Sequence, residues 1–387
     1  METRKLYYEN SHLYQFISRV LRCEKGKNGY EVVLEETAFY PEGGGQAADT
    51  GHLGAARVLD TRERENQVIH ICDAPLEVGT SVEGLVDSQP RFLRMQQHSG
   101  EHIVSGIIHR RYGYHNVGFH MGDQWMTIDF DGVIPAEALA EIEAEANQAV
   151  WSNLPVKTWY PDPESLKTIP YRTKKDLPWP VRIVEIPGYD ICACCGTHVS
   201  ATGEIGLIKL LSTCGLRGGI RMEMACGQQA FALLSQAYDQ NRQVGQAFSA
   251  QPHETGAAAR RMNEVLAQQK WRISQLEKEI FQNIAERYVN SDNVLYFADG
   301  LDSAGVRELA DTIANVCRGT AAVFSGTEEE GYSYCLVTRQ GDLRSLGREM
   351  TAALNGRGGG KPAFQQGRVS ASREKIGKFF SQWEGNS

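Results

Sequence analysis

The chain of 387 residues has no apolar run near the ~20 residues that a membrane-spanning helix needs. Its first ten residues, METRKLYYEN, lack the apolar stretch of a secretory signal. It also lacks a basic excess, because 40 Lys and Arg stand against 48 Asp and Glu and give a net charge of −8. These absences exclude membrane and secreted proteins, and a protein that coats nucleic acid through bulk charge, although a local basic patch stays open.

The cysteines do not form an even set. There are nine of them, and three crowd into the segment CACC at 192–195. Without an export signal, an odd count fits reduced thiols or metal ligands better than a disulfide framework. We therefore expect a cytoplasmic protein with free thiols.

The length exceeds the roughly 250–300 residues that one core fills, so two or three domains are expected. Alternating apolar residues separated by turns predict a small β-barrel or sandwich over 1–90. Helix and strand patterns mix over 91–227, including helices at 90–111 and 135–150, which indicates an α+β domain.

The second half of the chain changes composition twice. Residues 228–290 are rich in Gln, Ala, Glu and Lys, with apolar residues at helical spacing and a break near Pro252, so two helices in a hairpin are predicted. Over 291–387, three apolar strands flank a helix at 303–317, which indicates an α/β domain.

Two pairs of metal-ligand residues carry the chemistry. His98 and His102 are four apart on a predicted helix and share one face. Cys194 and His198 form a second pair with the same spacing, and three imidazoles with one thiolate suit zinc. Cys195 is the rival sulfur ligand and Cys192 a weaker one. Four bound ligands would make the ion structural or substrate-positioning, whereas an open position would activate water.

The segment HSGEH also matches the H-x-x-E-H peptidase pattern, with Glu101 as general base. That pattern implies a downstream carboxylate ligand, and here the downstream partners are a thiol and an imidazole. A metallopeptidase is therefore the minority alternative. Two glycine clusters fail as nucleotide motifs: residues 43–48 are followed by the turn sequence DTG, and Pro362 follows the GK at 360–361.

Four segments, in this order, resemble those of one family. Residues 37–51, TAFYPEGGGQAADTG, closely resemble the Gly-rich segment of the editing domain of alanyl-tRNA synthetases and of the free-standing AlaX editing proteins. HSGEHI at 98–103 and CCGTHV at 194–199 resemble the family's two zinc pairs, with Cys195 replacing a Gly, and the likeness continues over 202–223. NGRGGGKPAFQQG at 355–367 resembles the Gly-rich loop of the C-terminal domain of these synthetases.

The resemblance covers nearly the whole chain and implies the long AlaX form. It implies an α+β multidomain protein with an N-terminal β-barrel at 1–90, an α+β zinc-binding editing core at 91–227, a helical hairpin linker at 228–290 and a C-terminal α/β domain at 291–387. Because the chain starts with the β unit and not with an aminoacylation domain, hydrolysis of mischarged alanine tRNA in trans is expected. A non-catalytic tRNA-binding module with structural zinc is a further alternative.

The resemblance also suggests roles for individual residues. One zinc ion per chain, bound by His98, His102, Cys194 and His198, would fix the terminal adenosine or the ester against a water. The amide of Gln46 and backbone N–H groups freed by Gly43, Gly44 and Gly45 would orient the ester. Thr37 corresponds to the position thought to recognise the serine hydroxyl, and Glu101 is either a base or an exposed helix carboxylate. Whether seryl- or glycyl-tRNA is preferred stays open.

Basic residues suggest how tRNA is held. Residues 339–387 contain nine Lys or Arg against four acids, so the acidity lies elsewhere. Arg357 and Lys361 are phosphate-contact candidates, and Arg217 and Arg221 are candidates for the acceptor end. A solvated basic face is the alternative. Pairing with a second copy, through the helical linker or the C-terminal domain, also stays open.

Overall fold

The computed structural model describes residues 2–122, 125–173 and 179–383. The chain divides into two compact units, Met1–Gln243 and Val244–Ser387. Helices and several separate sheets confirm the predicted α+β multidomain class. The four-part division predicted from the sequence stays a prediction. In the described part of the chain, no helix is both long enough and apolar enough to cross a bilayer.

The first unit begins with short strands around a small closed sheet. Its elements up to residue 86 are β1 (Arg4–Lys5), α1 (Leu6–Glu9), β2 (Gln15–Gly26), β3 (Gly29–Leu34), β4 (Glu36–Thr37), β5 (Gly51–Leu53), β6 (Ala56–Arg64), β7 (Gln67–Cys72) and β8 (Ser81–Val86). The strands β2, β3, β7, β6, β5 and β8 hydrogen-bond in that order, and β8 pairs again with β2, so the six strands close into a ring. Apolar side chains at alternate positions fill it, among them Val20, Val32, Leu34 and Leu53. The Gly-rich segment 43–45 lies in the connection between β4 and β5.

The remainder of the first unit surrounds one long helix. Its elements are α2 (Ser88–Tyr112), β9 (Asn116–Met121), β10 (Met126–Phe130), α3 (Ala138–Trp151), β11 (Lys157–Trp159), α4 (Pro163–Leu166), β12 (Ile183–Ile186), β13 (Asp190–Ala193), β14 (Ile208–Leu216), β15 (Gly219–Cys226) and the greater part of α5 (Gly227–Ala247). A four-stranded antiparallel sheet has the order β14-β15-β10-β9, and a three-stranded sheet has the order β11-β12-β13. The helices predicted at 90–111 and 135–150 are confirmed as α2 and α3.

The helix α2 forms the centre of this core. Every residue from Met95 to Ile108 is buried, so the helix is covered on all sides. A Cβ at Gly100 would contact the Cys226 thiol, and one at Gly106 would contact the Tyr189 carbonyl, so these two glycines allow close approach of their neighbours. The helix ends at Gly113, whose left-handed backbone lets its N–H reach the His109 carbonyl at 2.8 Å. A helix held this firmly gives fixed positions to the side chains it carries.

The second unit is an α/β sandwich. Its elements are α6 (Thr255–Ala285), β16 (Val294–Ala298), α7 (Ser303–Ala314), β17 (Thr320–Thr327), β18 (Gly331–Thr338), α8 (Arg344–Ala353), β19 (Gly356–Lys361), β20 (Phe364–Val369) and α9 (Arg373–Ser381). The sheet order is β16-β17-β18-β20-β19, with β16 and β17 parallel. Side chains of α6 and α7 pack on one face, and those of α8 and α9 on the other. The predicted strands and the helix at 303–317 are therefore confirmed.

One expectation for this unit is wrong. The Gly-rich segment at 356–361 is not a loop but the edge strand β19, which pairs antiparallel with β20 from Gly356↔Val369 to Lys361↔Phe364. Glycine reaches the extended region freely, and an edge strand needs only one partner, so a weak strand former is tolerated there. The turn is made by Pro362 and Ala363.

Candidate metal centre

Two ligand pairs from distant parts of the chain meet in the first unit. His98 and His102 lie one turn apart on α2, and Cys194 and His198 lie directly after β13. The ligand atoms of all four side chains lie within 4.8 Å of one another. The structure thus brings together the four residues that the sequence pairs point to.

The spacing is that of ligands around a small cation. His98 Nε2 lies 3.4 Å from Cys194 Sγ, and the imidazole centroids are separated by 4.5, 4.7 and 5.2 Å. In a tetrahedral zinc site, with Zn–N about 2.0 Å and Zn–S about 2.3 Å, neighbouring N and S atoms are about 3.5 Å apart. The observed N–S separation is close to that edge length.

All three imidazoles are oriented by their Nδ1 atoms. His98 Nδ1 donates to Gln46 Oε1 at 3.1 Å and His102 Nδ1 to Asp190 Oδ2 at 2.8 Å, and His198 Nδ1 lies 3.3 Å from the Ser99 hydroxyl. A donating Nδ1–H leaves the lone pair on Nε2, the usual arrangement for a histidine that binds metal. His198 Nε2 is buried without a hydrogen-bond partner among the described residues, which a cation would correct.

The electrostatics favour added positive charge. Burial raises the pKa of the Cys194 thiol, but the His98 charge and the neighbouring imidazoles outweigh it and hold that pKa well below its usual value. Burial lowers the pKa of His102, yet Asp190 and the Cys194 thiolate raise it to about 10. Burial and the charge of His98 lower the pKa of His198 to about 3, so this imidazole stays neutral. A thiolate beside imidazole nitrogens is the donor set that zinc takes, and a bound cation would replace the proton that His102 holds without it.

The loop that carries Cys194 is fixed by its backbone. Arg182 Nη1 donates to the carbonyls of Cys194 and Gly196, each at 3.0 Å, and the Gly196 N–H lies 3.4 Å from Cys194 Sγ. A Cβ at Gly196 would collide with the imidazole of His98. Gly196 is therefore required for the two ligand pairs to approach each other.

Gln46 lies inside this site and not at its entrance. Its side chain is fully buried; Nε2 donates to Thr197 Oγ1 at 2.8 Å, and Oε1 accepts the Thr197 N–H at 3.1 Å in addition to His98. Both ends of the amide are engaged, so the amide orients a ligand. Gly45 lies against Phe119, which stacks on His98 with a centroid distance of 5.4 Å.

The Gly-rich connection is fastened to α2 by a buried ion pair. Arg91 bonds to Asp49 and also donates to the carbonyl of Ala38 at 2.5 Å and to that of Ser11 at 3.0 Å. Asp49 in turn accepts the Tyr40 N–H at 2.7 Å. Because Arg91 and Asp49 are both fully buried, this pair sets the position of the loop on the helix that carries the histidines.

Thr37 is enclosed by the protein. Its side chain is fully buried; Oγ1 lies 2.8 Å from His70 Nε2 and accepts the Phe39 N–H at 3.1 Å. His70 Nδ1 lies 3.1 Å from the Val32 carbonyl, so Nδ1 donates and Nε2 accepts the Thr37 hydroxyl. Both contacts favour a packing role for Thr37 over a substrate contact.

Glu101 is a buried carboxylate, and its alternative interpretation as an exposed helix residue is wrong. Only 3% of it is exposed. Its Oε1 accepts Ser105 Oγ at 2.6 Å and the Asn116 amide, and its Oε2 lies 3.9 Å from His102 Nε2. Glu101 therefore places a carboxyl group at the edge of the cluster.

The rival thiols occupy different environments. Cys195 is exposed and is not part of the four-residue cluster. Cys192 is buried near His102 and Asp190, and burial raises its pKa well above the usual value, so it stays protonated. Of the three, Cys194 has the environment of a metal ligand.

The predicted nucleic-acid contacts lie on exposed strands and turns. Arg217 is exposed in the turn between β14 and β15. Arg221 forms a two-pronged ion pair with Asp129 at 2.7 and 2.8 Å, which leaves it less available for phosphate. In the second unit, Arg357 and Lys361 are both exposed on β19.

Sequence reasoning missed the residues that hold the ligands. Asp190, Ser99 and Thr197 have no motif of their own, although Ser99 and Thr197 each stand beside a predicted ligand. Arg172 is missed as well; its Nε and Nη2 donate to Asp190 at 2.6 and 2.8 Å. A buried polar residue close to a ligand motif is the one local signal that points to such partners.

Three family models match separate parts of the chain. The model described as tRNA synthetases class II (A) matches residues 2–90, and the Threonyl and Alanyl tRNA synthetase second additional domain matches residues 181–221. The DHHA1 domain matches residues 291–385. The second of these matches contains Cys194 and His198.

Relatives match almost the whole chain. An alanine–tRNA ligase of Thermofilum pendens is 32% identical over 403 residues, which are 96% of this chain but 43% of the ligase. The alanyl-tRNA editing protein AlaX-L of Pyrococcus horikoshii is 27% identical over 96% of each chain. The alanyl-tRNA editing protein Aarsd1-A of Xenopus laevis is 29% identical over 92% of this chain and 89% of its own.

The chain thus spans less than half of the ligase but nearly all of the two editing proteins. The resemblance found in the sequence motifs is confirmed: the chain resembles the AlaX-type alanyl-tRNA editing proteins of the long form, and with them the editing and C-terminal domains of alanyl-tRNA synthetases.

Proposed function

We propose that this chain is a trans-editing hydrolase that deacylates mischarged alanine tRNA, Ser-tRNA(Ala) or Gly-tRNA(Ala), at a zinc-containing site. The carrying observation is the buried cluster of three imidazoles and one thiolate beside the Gly-rich connection. The names of the two relatives that align over most of their own length support the same activity.

Such an activity has a physical reason. A pocket that holds alanine cannot strongly exclude glycine, and a hydrophobic pocket rejects an added hydroxyl only about 100-fold. A second site with a different shape supplies the missing selectivity. The nine cysteines are all free thiols, which supports work in the reducing cytoplasm.

His98, His102, Cys194 and His198 would hold the zinc ion. When bound, the ion would act as a Lewis acid that positions and polarises the ester or the terminal ribose. Gln46, Asp190 and Ser99 keep the three Nε2 atoms directed at the cluster. These residues do their work before substrate arrives, because their hydrogen bonds fix the ligands in the folded chain.

We assign binding of the aminoacyl ester to the Gly-rich connection between β4 and β5. Gly43, Gly44 and Gly45 carry no side chain that would keep an ester away from this backbone, and Gly45 lies against Phe119, which stacks on His98. The Gly43 N–H donates to the Gln46 carbonyl at 3.0 Å, so the N–H groups of Gly44 and Gly45 are the ones assigned to the ester. Glu101 is the proposed general base, since its Oε1 is held by Ser105 and its Oε2 lies at the edge of the cluster. Because both ends of its amide are engaged, Gln46 is assigned as a positioning residue.

For tRNA, exposed cations on each unit are the proposed contacts. Arg357 and Lys361 on β19 would bind phosphates, and Arg217 in its hairpin turn would lie near the acceptor end. Arg221 takes part only if it leaves Asp129.

The test is zinc analysis followed by one deacylation series. We expect one zinc per chain and faster hydrolysis of seryl- or glycyl-tRNA(Ala) than of alanyl-tRNA(Ala). Peptide substrates assayed in parallel test the alternative of a metallopeptidase, which rests only on the H-x-x-E-H sequence pattern. A metallopeptidase would cleave the peptides and not the aminoacyl-tRNA ester. Zinc with tRNA binding but no hydrolysis would identify a binding module and overturn the proposal.

A further inference from the structure

One of the three histidines has a support of a different kind. His102 Nδ1 lies 2.8 Å from Asp190 Oδ2, and both side chains are 2% exposed. Arg172 binds the same carboxylate with Nε at 2.6 Å and Nη2 at 2.8 Å. Asp190 is therefore a buried anion that receives a histidine from one side and a guanidinium from the other.

The other two histidines have neutral partners. His98 donates to an amide oxygen of Gln46 at 3.1 Å, and His198 reaches a hydroxyl of Ser99 at 3.3 Å. Hydrogen bonds to charged groups are shorter and about twice as strong as neutral ones. His102 is thus the most firmly oriented of the three imidazoles.

Asp190 lies on the same strand, β13, that leads into the thiolate ligand Cys194. Asp190 begins β13, and Cys194 follows that strand directly. Arg172 is bound to β13 by its backbone, since its N–H donates to the Ile191 carbonyl at 2.8 Å and its carbonyl accepts the Ala193 N–H at 2.9 Å. The backbone of Arg172 and that of β13, which carries Asp190 and leads into Cys194, are therefore hydrogen-bonded to each other.

We propose that Asp190, clamped by Arg172, is the positioning residue that makes His102 the anchoring ligand of the metal centre. The carboxylate accepts the Nδ1–H, keeps Nε2 directed at the cluster and raises the basicity of the ring toward a cation. The inference rests on the metal centre of the proposed function and names the residues outside the ligand set on which metal retention depends.

The test measures zinc affinity by chelator competition on the full chain, without tRNA. Asp190→Asn keeps the size and an acceptor oxygen but removes the charge. Substituting a residue that hydrogen-bonds to a metal ligand typically lowers metal affinity by about 10–100-fold, and we expect the zinc affinity of Asp190→Asn to fall by an amount in that range. In the cobalt-loaded protein, the d–d absorption bands should shift while the thiolate charge-transfer band persists, because His102 and not Cys194 is disturbed.

The chain offers a matched control. His115 Nδ1 lies 3.1 Å from Asp131 Oδ2 in a pair that is 60% and 43% exposed and lies outside the four-residue cluster. Asp131→Asn removes the same charge from the same kind of pair, and we expect unchanged zinc affinity. An equal loss in both variants would overturn the inference.

A buried guanidinium without its carboxylate is strongly destabilising, so D190N is paired with a second variant. The double variant Arg172→Gln with Asp190→Asn replaces the ion pair by two amides, and we expect it to fold and to lose zinc to the same extent. If the unaltered chain takes up no zinc, the metal centre itself fails. If it takes up zinc and either folded variant retains that affinity, only the role of Asp190 fails.

Discussion

Oε1 of Gln46 lies 3.1 Å from Nδ1 of His98, a residue 52 positions further along the chain. This contact joins the Gly-rich connection to the first ligand of the metal cluster. The sequence assigns Gln46 to substrate binding, whereas this contact makes Gln46 a residue that orients the metal ligand His98.

Replacing Gln46 by Ala should therefore affect the metal centre directly. His98 Nδ1 and the Thr197 N–H would lose their buried acceptor, so we expect zinc affinity to fall by about 10-fold or more and deacylation to fall with it. The control is Gln89→Ala. Gln89 is exposed on α2, the helix that carries His98, and makes only a long hydrogen bond to Gln228, so this variant should keep its zinc affinity and its deacylation activity. Wild-type zinc affinity in the Gln46 variant would show that its contact with His98 is incidental.

The neighbouring thiols can be told apart by serine substitution. Cys194→Ser replaces the low-pKa sulfur inside the cluster, and we expect loss of stoichiometric zinc and of deacylation. Cys195→Ser alters an exposed side chain outside the cluster and should retain both. Zinc content by mass spectrometry and seryl-tRNA(Ala) hydrolysis measure the two effects. The reverse result would make Cys195 the ligand.

Gly196→Ala tests how closely the two ligand pairs approach. The added methyl group would collide with the His98 ring, and overpacking of this kind costs about 1–3 kcal/mol. We expect reduced zinc affinity and a lower melting temperature that added zinc no longer fully restores. Gly215→Ala is the matched control, since no atom lies within 4 Å of its Cβ position. Thermal unfolding with and without zinc measures both.

His70 should make the first unit sensitive to acid. Burial lowers its pKa to about 4 from the usual 6.5, so the unfolded chain binds the proton more readily between these values. Stability is therefore lost as the pH falls from about 6.5 to about 4, and a shift of this size corresponds to about 3 kcal/mol.

The variant His70→Gln removes that titration. We expect its free energy of unfolding, measured by urea denaturation, to change less over this pH range than that of the unaltered chain, even if it is lower at pH 7. Parallel pH profiles for the two proteins would show that His70 does not contribute.

Salt dependence tests the proposed phosphate contacts on β19. Removing one phosphate contact should reduce the slope of log affinity against log salt concentration by about 1. We expect this for Arg357→Ala and for Lys361→Ala in tRNA binding measured by filter retention. The control is Arg344→Ala. Because Arg344 is already bound to Asp342 in an exposed ion pair, its removal should leave the salt slope unchanged. Slopes that do not differ from that of the unaltered chain would remove β19 from the interface.

Local patterns in the sequence predict the regular elements well. The apolar spacing after Pro90 predicts a helix at 90–111, and α2 runs from Ser88 to Tyr112. The ligand pairs are equally local, since each has a spacing of four. Apolar strands predict the sheet of the second unit, but the glycines of β19 carry no strand signal, and only pairing with β20 makes them extended.

The partners of the ligands could not be predicted in this way. His102 and Asp190 are 88 positions apart, and His198 and Ser99 are 99 apart. No periodic pattern links such residues, because their contact depends on how β13 packs against α2. The same is true of Thr37 on β4, whose hydroxyl is hydrogen-bonded to His70, 33 positions away on β7.

The glycines of β19 have a dynamic consequence. Four of its six residues lack a side chain, and each glycine in a strand weakens it by roughly 0.5–1 kcal/mol relative to alanine. The strand also lies at the border of its sheet, with β20 as its neighbour. Amide protons of this segment should therefore exchange with deuterium sooner than those of β17 and β18 at the sheet centre, and a ligand that rests on the strand would be seen first as slower exchange there.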